Sequence, residues 1–261
     1  MKIAVYQGDG TMADVEGNLD VLSNVAGAAA EKGACLVIFP ELFLTGYNTG
    51  AKIRDLAEPC DGPASRKALD IARESGVCLL YGYAERAADG IYNSALMVDR
   101  DGSRRVNYRK THLFSDYERN LFRPGKELVT TELDGFKIGV LICFDIEFPE
   151  PARALALRGI DLLAVPTTLM APHDVIARIV VPARACENQI FVAYANRHGQ
   201  ERELKYIGQS CIVGPDGRDL ARAGKAEELL VADIDANAIA KSREAFDYLN
   251  ERQPNSYGSL I

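Results

Sequence analysis

Lys137-Ile138-Gly139-Val140-Leu141-Ile142-Cys143 is a short apolar run that stops at a more polar stretch, Phe144-Asp145-Ile146-Glu147-Phe148-Pro149-Glu150. The run is of strand length, and its alternate β-branched residues favour a pleated, buried segment. A helical pattern follows from about Pro149 to Arg158. Then come the strand Leu162 to Pro166, a helix ending near Asn188 and the strand Ile190 to Ala195. Parallel strands need a long crossover, usually a helix, so this order predicts a parallel sheet with helices on one face.

The N-terminal part repeats the order. Ile3 to Gln7 leads through a helix from about Asn18 to Lys32 to the strand Cys35 to Phe39, then through a helix near Ala64 to Ser75 to a strand near Val77 to Tyr83. Asn93 to Val98 and Arg105 to Tyr108 flank Asp99-Arg100-Asp101-Gly102, a hairpin signal that predicts two neighbouring antiparallel strands. A second hairpin is expected around Gly214-Pro215-Asp216-Gly217. Strands this apolar require helices on one face and a dry layer on the other, as a second sheet would provide, so a layered α/β sandwich fits.

No linker, low-complexity tract or short-period repeat interrupts the 261 residues, which read as one domain over 1–261. About 246–261 is polar and weakly periodic, and reads as a C-terminal arm on a neighbouring subunit or a loose tail. Acidic residues outnumber basic ones by 37 to 30 with no block of like charge, which argues against phosphate backbones and hence against nucleic acid as partner. With no apolar export segment at Met1 and no stretch long enough for a bilayer, the expected setting is soluble and cytoplasmic, with no membrane partner. The six cysteines are dispersed, without zinc spacing, so neither a disulfide framework nor a metal is expected.

Three residues able to do chemistry stand at the ends of apolar strands, where α/β sheets bind ligands: Glu41 after Leu36-Val37-Ile38-Phe39-Pro40, Lys110 after Val106-Asn107-Tyr108-Arg109, and Cys143. A carboxylate can deprotonate a thiol, an ammonium can hold an oxyanion, and a thiolate can attack a carbonyl or nitrile carbon. Taken singly, Cys143 fits a small core residue, Glu41 a helix cap and Lys110 a solvated surface group. The set carries the argument. Of the three histidines His112, His173 and His198, His112 is two residues from Lys110 and supplies the rival arrangement, a Cys–His pair.

Phe39-Pro40-Glu41 with Gly46-Tyr47, Tyr108-Arg109-Lys110-Thr111-His112-Leu113-Phe114, and Cys143-Phe144-Asp145-Ile146-Glu147-Phe148-Pro149-Glu150 occur in that order, and together they resemble the nitrilase, or carbon–nitrogen hydrolase, superfamily from Met1 to about Ile234. The resemblance implies a four-layer αββα sandwich and a Glu–Lys–Cys triad, with Glu41 as general base, Lys110 as oxyanion stabiliser and Cys143 as nucleophile forming a thioester. It implies no organic cofactor and no metal, the backbone N–H of Phe144 as a second oxyanion donor, and Glu118, eight residues after the lysine, as a substrate-positioning carboxylate. It also implies a homodimer or higher homo-oligomer.

Many relatives acting on carboxylate-bearing substrates carry arginine where Glu147 stands. The reversed charge predicts a small-molecule amide with a positive charge. Leu44-Thr45-Gly46-Tyr47-Asn48, Tyr81-Gly82-Tyr83 and Ala195-Asn196 strengthen the resemblance to the branch that hydrolyses 5-aminopentanamide in lysine degradation. Phe114 and Thr168 are expected as pocket walls. A scaffold role for Glu147, paired with Arg153 or Arg184, stays open. So do ω-amidase, N-carbamoyl-amine hydrolase and R-stereoselective amidase activities on the same triad, and, from another class, a catalytically silent binding scaffold.

Overall fold

In the computed structural model, which describes residues 1–258 of the chain, strand β1 (Lys2–Gln7) sends Ile3 and Val5 to one side and Ala4 and Tyr6 to the other, and both sides are buried. A strand buried on both faces needs a layer above and a layer below. Helix α1 (Val15–Glu31) supplies the outer layer, packing Leu19, Leu22, Ala26 and Ala29 against Ala4 and Tyr6. It starts earlier than the apolar pattern suggests because Asp14 caps it, its carboxylate accepting the Gly17 N–H at 3.0 Å. Strand β2 (Leu36–Ile38) splits in the same way, Leu36 and Ile38 inward and Val37 outward. After the single turn α2 (Ile53–Leu56), helix α3 (Pro63–Ser75) begins on a proline and ends on Gly76 in the left-handed conformation at φ 68°. It lies against α1 on the outer face.

Strands β3 (Cys78–Ala87), β4 (Gly90–Val98) and β5 (Arg104–Arg109) form an antiparallel meander, with the expected hairpin between β4 and β5. The short helix α4 (Ser115–Leu121) follows, then β6 (Thr130–Leu133), β7 (Phe136–Val140), α5 (Pro149–Leu157), β8 (Leu162–Pro166), α6 (Val181–Asn188) and β9 (Phe191–Ala195). A π-helical turn over Ile176–Val180 leads into α6. The chain closes with the two-residue strands β10 (Gln200–Glu201) and β11 (Leu204–Lys205), then β12 (Cys211–Val213), β13 (Asp219–Arg222), β14 (Glu228–Asp233) and α7 (Ala236–Ala245).

Two six-stranded sheets result, ordered β14-β1-β2-β3-β4-β5 and β13-β12-β9-β8-β7-β6. In each, three parallel strands are extended by antiparallel ones. The sheets face each other, β1 against β9 and β2 and β3 against β8, through Ile3, Val5, Leu36, Ile38, Cys78 and Leu80. With α1 and α3 outside one sheet and α5 and α6 outside the other, the architecture is the four-layer αββα sandwich.

One expected boundary is wrong in a way that matters. The strand expected to run to Cys143 ends at Val140, because the Ile142 N–H is taken at 3.0 Å by the Asp145 carboxylate instead of by a neighbouring strand. In the C-terminal stretch, Phe246 and Tyr248 stack on each other at the surface. A 3-10 turn spans Pro254–Ser256, while 259–261 of the expected arm lie outside the described residues. Among the described residues no helix is long and apolar enough to cross a membrane.

Candidate active site

Both sheets contribute to one point. Strands β2 and β5 run in the same direction in the first sheet, so the segments after them emerge at the same edge. Glu41 lies three residues beyond β2 and Lys110 directly after β5. From the second sheet, Cys143 follows β7 and Thr168 follows β8. The Glu41 N–H reaches the Thr167 carbonyl at 3.4 Å, and the Thr168 hydroxyl donates to Glu41 Oε2, so the two sheets are joined at the site itself.

Glu41 can sit there because Gly82 in β3 has no side chain. A Cβ at that position would lie 2.3 Å from Leu42 N and 2.6 Å from the Pro40 carbonyl oxygen. Instead the Gly82 N–H donates to that oxygen at 3.2 Å. Glu41 is fully buried, and its Oε1 accepts from Asn93 Nδ2 and from Lys110 Nζ, both at 2.7 Å.

Lys110, equally buried, is bracketed by a second carboxylate, Glu118 Oε1, at 2.7 Å. Burial alone would lower the Lys110 pKa, but Glu118 and Glu41 together hold it well above its ordinary value. The two carboxylates therefore favour the charged ammonium. Glu118 is pushed up by burial against the pull of Lys110. Its Oε1 also accepts from the Tyr47 hydroxyl at 2.8 Å, and its Oε2 from the Phe114 N–H at 2.9 Å.

Cys143 has φ 48°, a left-handed conformation that a non-glycine residue holds only when its surroundings enforce it. Asp145 supplies the enforcement. Besides Ile142 N–H, it accepts from the Tyr108 hydroxyl at 2.8 Å, the Thr111 hydroxyl at 2.7 Å and the His112 N–H at 2.8 Å, tying the turn after β7 to the segment around Lys110. Burial, with Glu41 adding to it, pushes the thiol up against the opposing effect of Lys110. The upward direction favours the protonated thiol, so a base placed to take its proton would assist attack by sulfur. Phe144 is the second residue of the 3-10 turn Cys143–Glu147, at the end where N–H groups lack partners within a helix.

Tyr47, Phe114, Cys143, Glu147, Thr168, Leu169, Met170 and His173 line a cavity of about 100 Å³. The expected walls Phe114 and Thr168 are both there, Thr168 holding Glu41 as well. Glu147 also lines it. Arg184 does not pair with the Glu147 carboxylate but binds backbone, Nε to the Ile146 carbonyl at 3.0 Å and Nη2 to that of Glu147 at 2.8 Å. Arg153 makes no ion pair with Glu147 among the described residues. Burial raises the Glu147 carboxyl pKa, with His173 and Lys110 opposing. His112, the candidate for a Cys–His pair, is held at Nδ1 by Asp145 at 2.8 Å and stacks on Phe148 with ring centroids 4.3 Å apart.

Sequence reasoning missed Asn93 and the holding role of Asp145. A polar residue in a buried strand could have flagged Asn93, whereas Tyr108, Thr111 and His112, which Asp145 ties to the turn after β7, lie more than 30 positions away from it and gave no local sign.

The carbon–nitrogen hydrolase family model matches residues 2–244. A protein named as a hydrolase in the pqqF 5′ region of Pseudomonas protegens is 46% identical over 100% of this chain and 92% of its own length. The (R)-stereoselective amidase of a Pseudomonas species is 36% identical over 97% and 92%. Among solved structures, a mutant of the amidase from Nesterenkonia sp. AN1, bearing the product of Michael addition of acrylamide at its active-site cysteine, superposes with a TM-score of 0.90 at 32% identity, with 100% of both chains covered. The chain belongs to the carbon–nitrogen hydrolase family, the nitrilase superfamily. Its chemistry is that of an amidase, a hydrolase of carbon–nitrogen bonds working through a cysteine.

Proposed function

We propose that the enzyme hydrolyses a small aliphatic amino-amide, such as 5-aminopentanamide, to the amino acid and ammonia, with Cys143 as nucleophile. The observation that carries the substrate reading is the Glu147 carboxylate on the wall of the Cys143 cavity, with neither Arg184 nor Arg153 neutralising it. A substrate ammonium would restore the balance, and Tyr47, Phe114, Leu169 and Met170 offer apolar surface for the methylenes between the two ends.

In this reading Glu41 takes the thiol proton as sulfur attacks the amide carbon, breaking the carbonyl π bond. Lys110 and the Phe144 N–H hold the oxyanion that forms. The oxyanion collapses, the C–N bond breaks, and Glu41 returns the proton to the leaving ammonia. Water, deprotonated by Glu41, then attacks the thioester and releases carboxylate and thiol. Glu118 orients the amide and fixes Lys110.

Ammonia release from amides of equal length bearing an ammonium, no charge or a carboxylate tests the substrate. The ammonium compound is expected to have the highest kcat/KM, and Glu147→Arg to lower it at least tenfold more than that of the neutral amide. Equal losses on both would remove Glu147 from substrate selection.

A further inference from the structure

Behind Tyr47, on the side away from Glu118, sits an ion pair that the chemistry just described does not use. Arg197 is fully buried, and its Nη1 donates to Glu201 Oε1. Glu201, in β10, is itself 6% exposed. A buried pair of this kind is seldom a net source of stability, since desolvation offsets its attraction. What distinguishes this one is where the remaining acceptor capacity of the carboxylate goes.

Glu201 Oε2 accepts from Tyr47 N at 3.0 Å, from Asn48 N at 2.7 Å and from the Tyr206 hydroxyl at 3.0 Å. Two successive backbone N–H groups of a loop more than 150 residues distant in sequence therefore close on one carboxylate. The loop enters through Gly46 at φ 79°, where a Cβ would come within 3.0 Å of Glu201 Oε1 and of Met12 Cα. The Tyr47 carbonyl accepts from the Tyr117 hydroxyl at 2.8 Å, so the residue is held on both sides of its peptide. From that fixed backbone the Tyr47 hydroxyl reaches Glu118 Oε1, the same oxygen that binds Lys110.

We propose that Glu201, clamped by Arg197, is a positioning residue for amide hydrolysis: it fixes Tyr47, and through the Tyr47 hydroxyl it fixes Glu118 against Lys110. The inference rests on the roles proposed above for Glu118 and Lys110. Loosening the loop lets the Tyr47 hydroxyl drift from Glu118 and removes one of the hydrogen bonds that set that carboxylate, leaving the Phe114 N–H and Lys110 to hold it less firmly where the oxyanion forms. Misplacement of this order, far from the reacting atoms, is enough to slow a positioned reaction.

The test is a double-mutant cycle on kcat/KM for one amide, with thermal midpoints recorded alongside. Glu201→Gln is expected to lower kcat/KM about tenfold, and Tyr47→Phe comparably. In the Tyr47→Phe background Glu201→Gln is expected to cost less than about threefold, because the link through which it acts is already cut. Losses that simply multiply would overturn the proposal, as would near wild-type rates for Glu201→Gln.

Glu201→Asp keeps a charge facing Arg197 while drawing back from the Tyr47 and Asn48 N–H groups. It carries the same cycle if Glu201→Gln does not fold, and failure of both to fold would mark the pair as a stability element and equally overturn the proposal. Cys143→Ala and Lys110→Ala separate the two levels. Activity in either sinks the triad reading, whereas two dead variants beside an unimpaired Glu201→Gln sink only the positioning role.

Discussion

At the scale of the residue, Glu147 is where the proposed substrate choice and stability pull in opposite directions. Its carboxyl is raised because burial outweighs the opposing pull of His173 and Lys110, so the folded state binds its proton more tightly than the unfolded chain does. The sign follows by linkage: the stability that protonation of Glu147 contributes is fully present below the unfolded value of about 4.3 and is lost as pH rises through the higher folded value. Glu147→Gln should therefore be the more stable protein at neutral pH, with a melting midpoint higher by on the order of 2 °C, and should lose that advantage below about pH 4. In the native enzyme the proposed preference for an ammonium-bearing amide over a neutral one should fade on acidification, beginning above the ordinary glutamate range. A pH-independent melting difference, or a preference that survives acid, would mean that the group is not the unpaired carboxylate described here.

At the scale of the element, the site depends on close approach of backbone segments. Gly82 lets the Pro40–Leu42 segment lie directly on β3, and the atoms a Cβ would strike there are main-chain atoms that cannot swing aside. Gly82→Ala should displace Glu41 from Lys110 and Thr168. A loss of kcat of at least tenfold is expected, with about 1–3 kcal/mol of destabilisation by urea titration. Wild-type kcat with an unchanged midpoint would show that the approach can relax. The strand–helix units and the hairpin between β4 and β5 were legible because their periodicity and turn residues are local. The ends of elements were less so. Val140 ends β7 because a carboxylate three residues past Ile142 intercepts a ladder donor, and no propensity scale registers that. The strand β14 escaped notice because its partner β1 is at the other end of the chain, and β10 and β11 because two residues carry no period. Of the site, Glu41, Lys110 and Cys143 stand out as polar residues beyond apolar runs, but the hold of Asp145 on the turn after β7 exists only once the sheets are stacked, and that of Tyr47 on Glu118 only once the segments after β2 and β5 meet at one edge of the first sheet.

At the scale of the whole molecule, the two sheets each bring half of the site, and a net charge of −7 surrounds it with a field that favours cations. The kcat/KM of an ammonium-bearing amide should accordingly fall as ionic strength rises from about 0.01 to 0.15 M, over which the Debye length shrinks from about 30 to 8 Å, while that of a neutral amide stays level. Parallel behaviour of the two substrates would leave charge out of the encounter. The central claim, that the amide is opened by the thiol of Cys143 through a thioester, is met most directly by mass spectrometry of enzyme quenched in acid during its first turnover of an amino-amide. The account predicts a peptide containing Cys143 that carries the mass of the acyl group and loses it as carboxylate is released. Release of a full equivalent of ammonia with Cys143 unmodified at every quench time would contradict it.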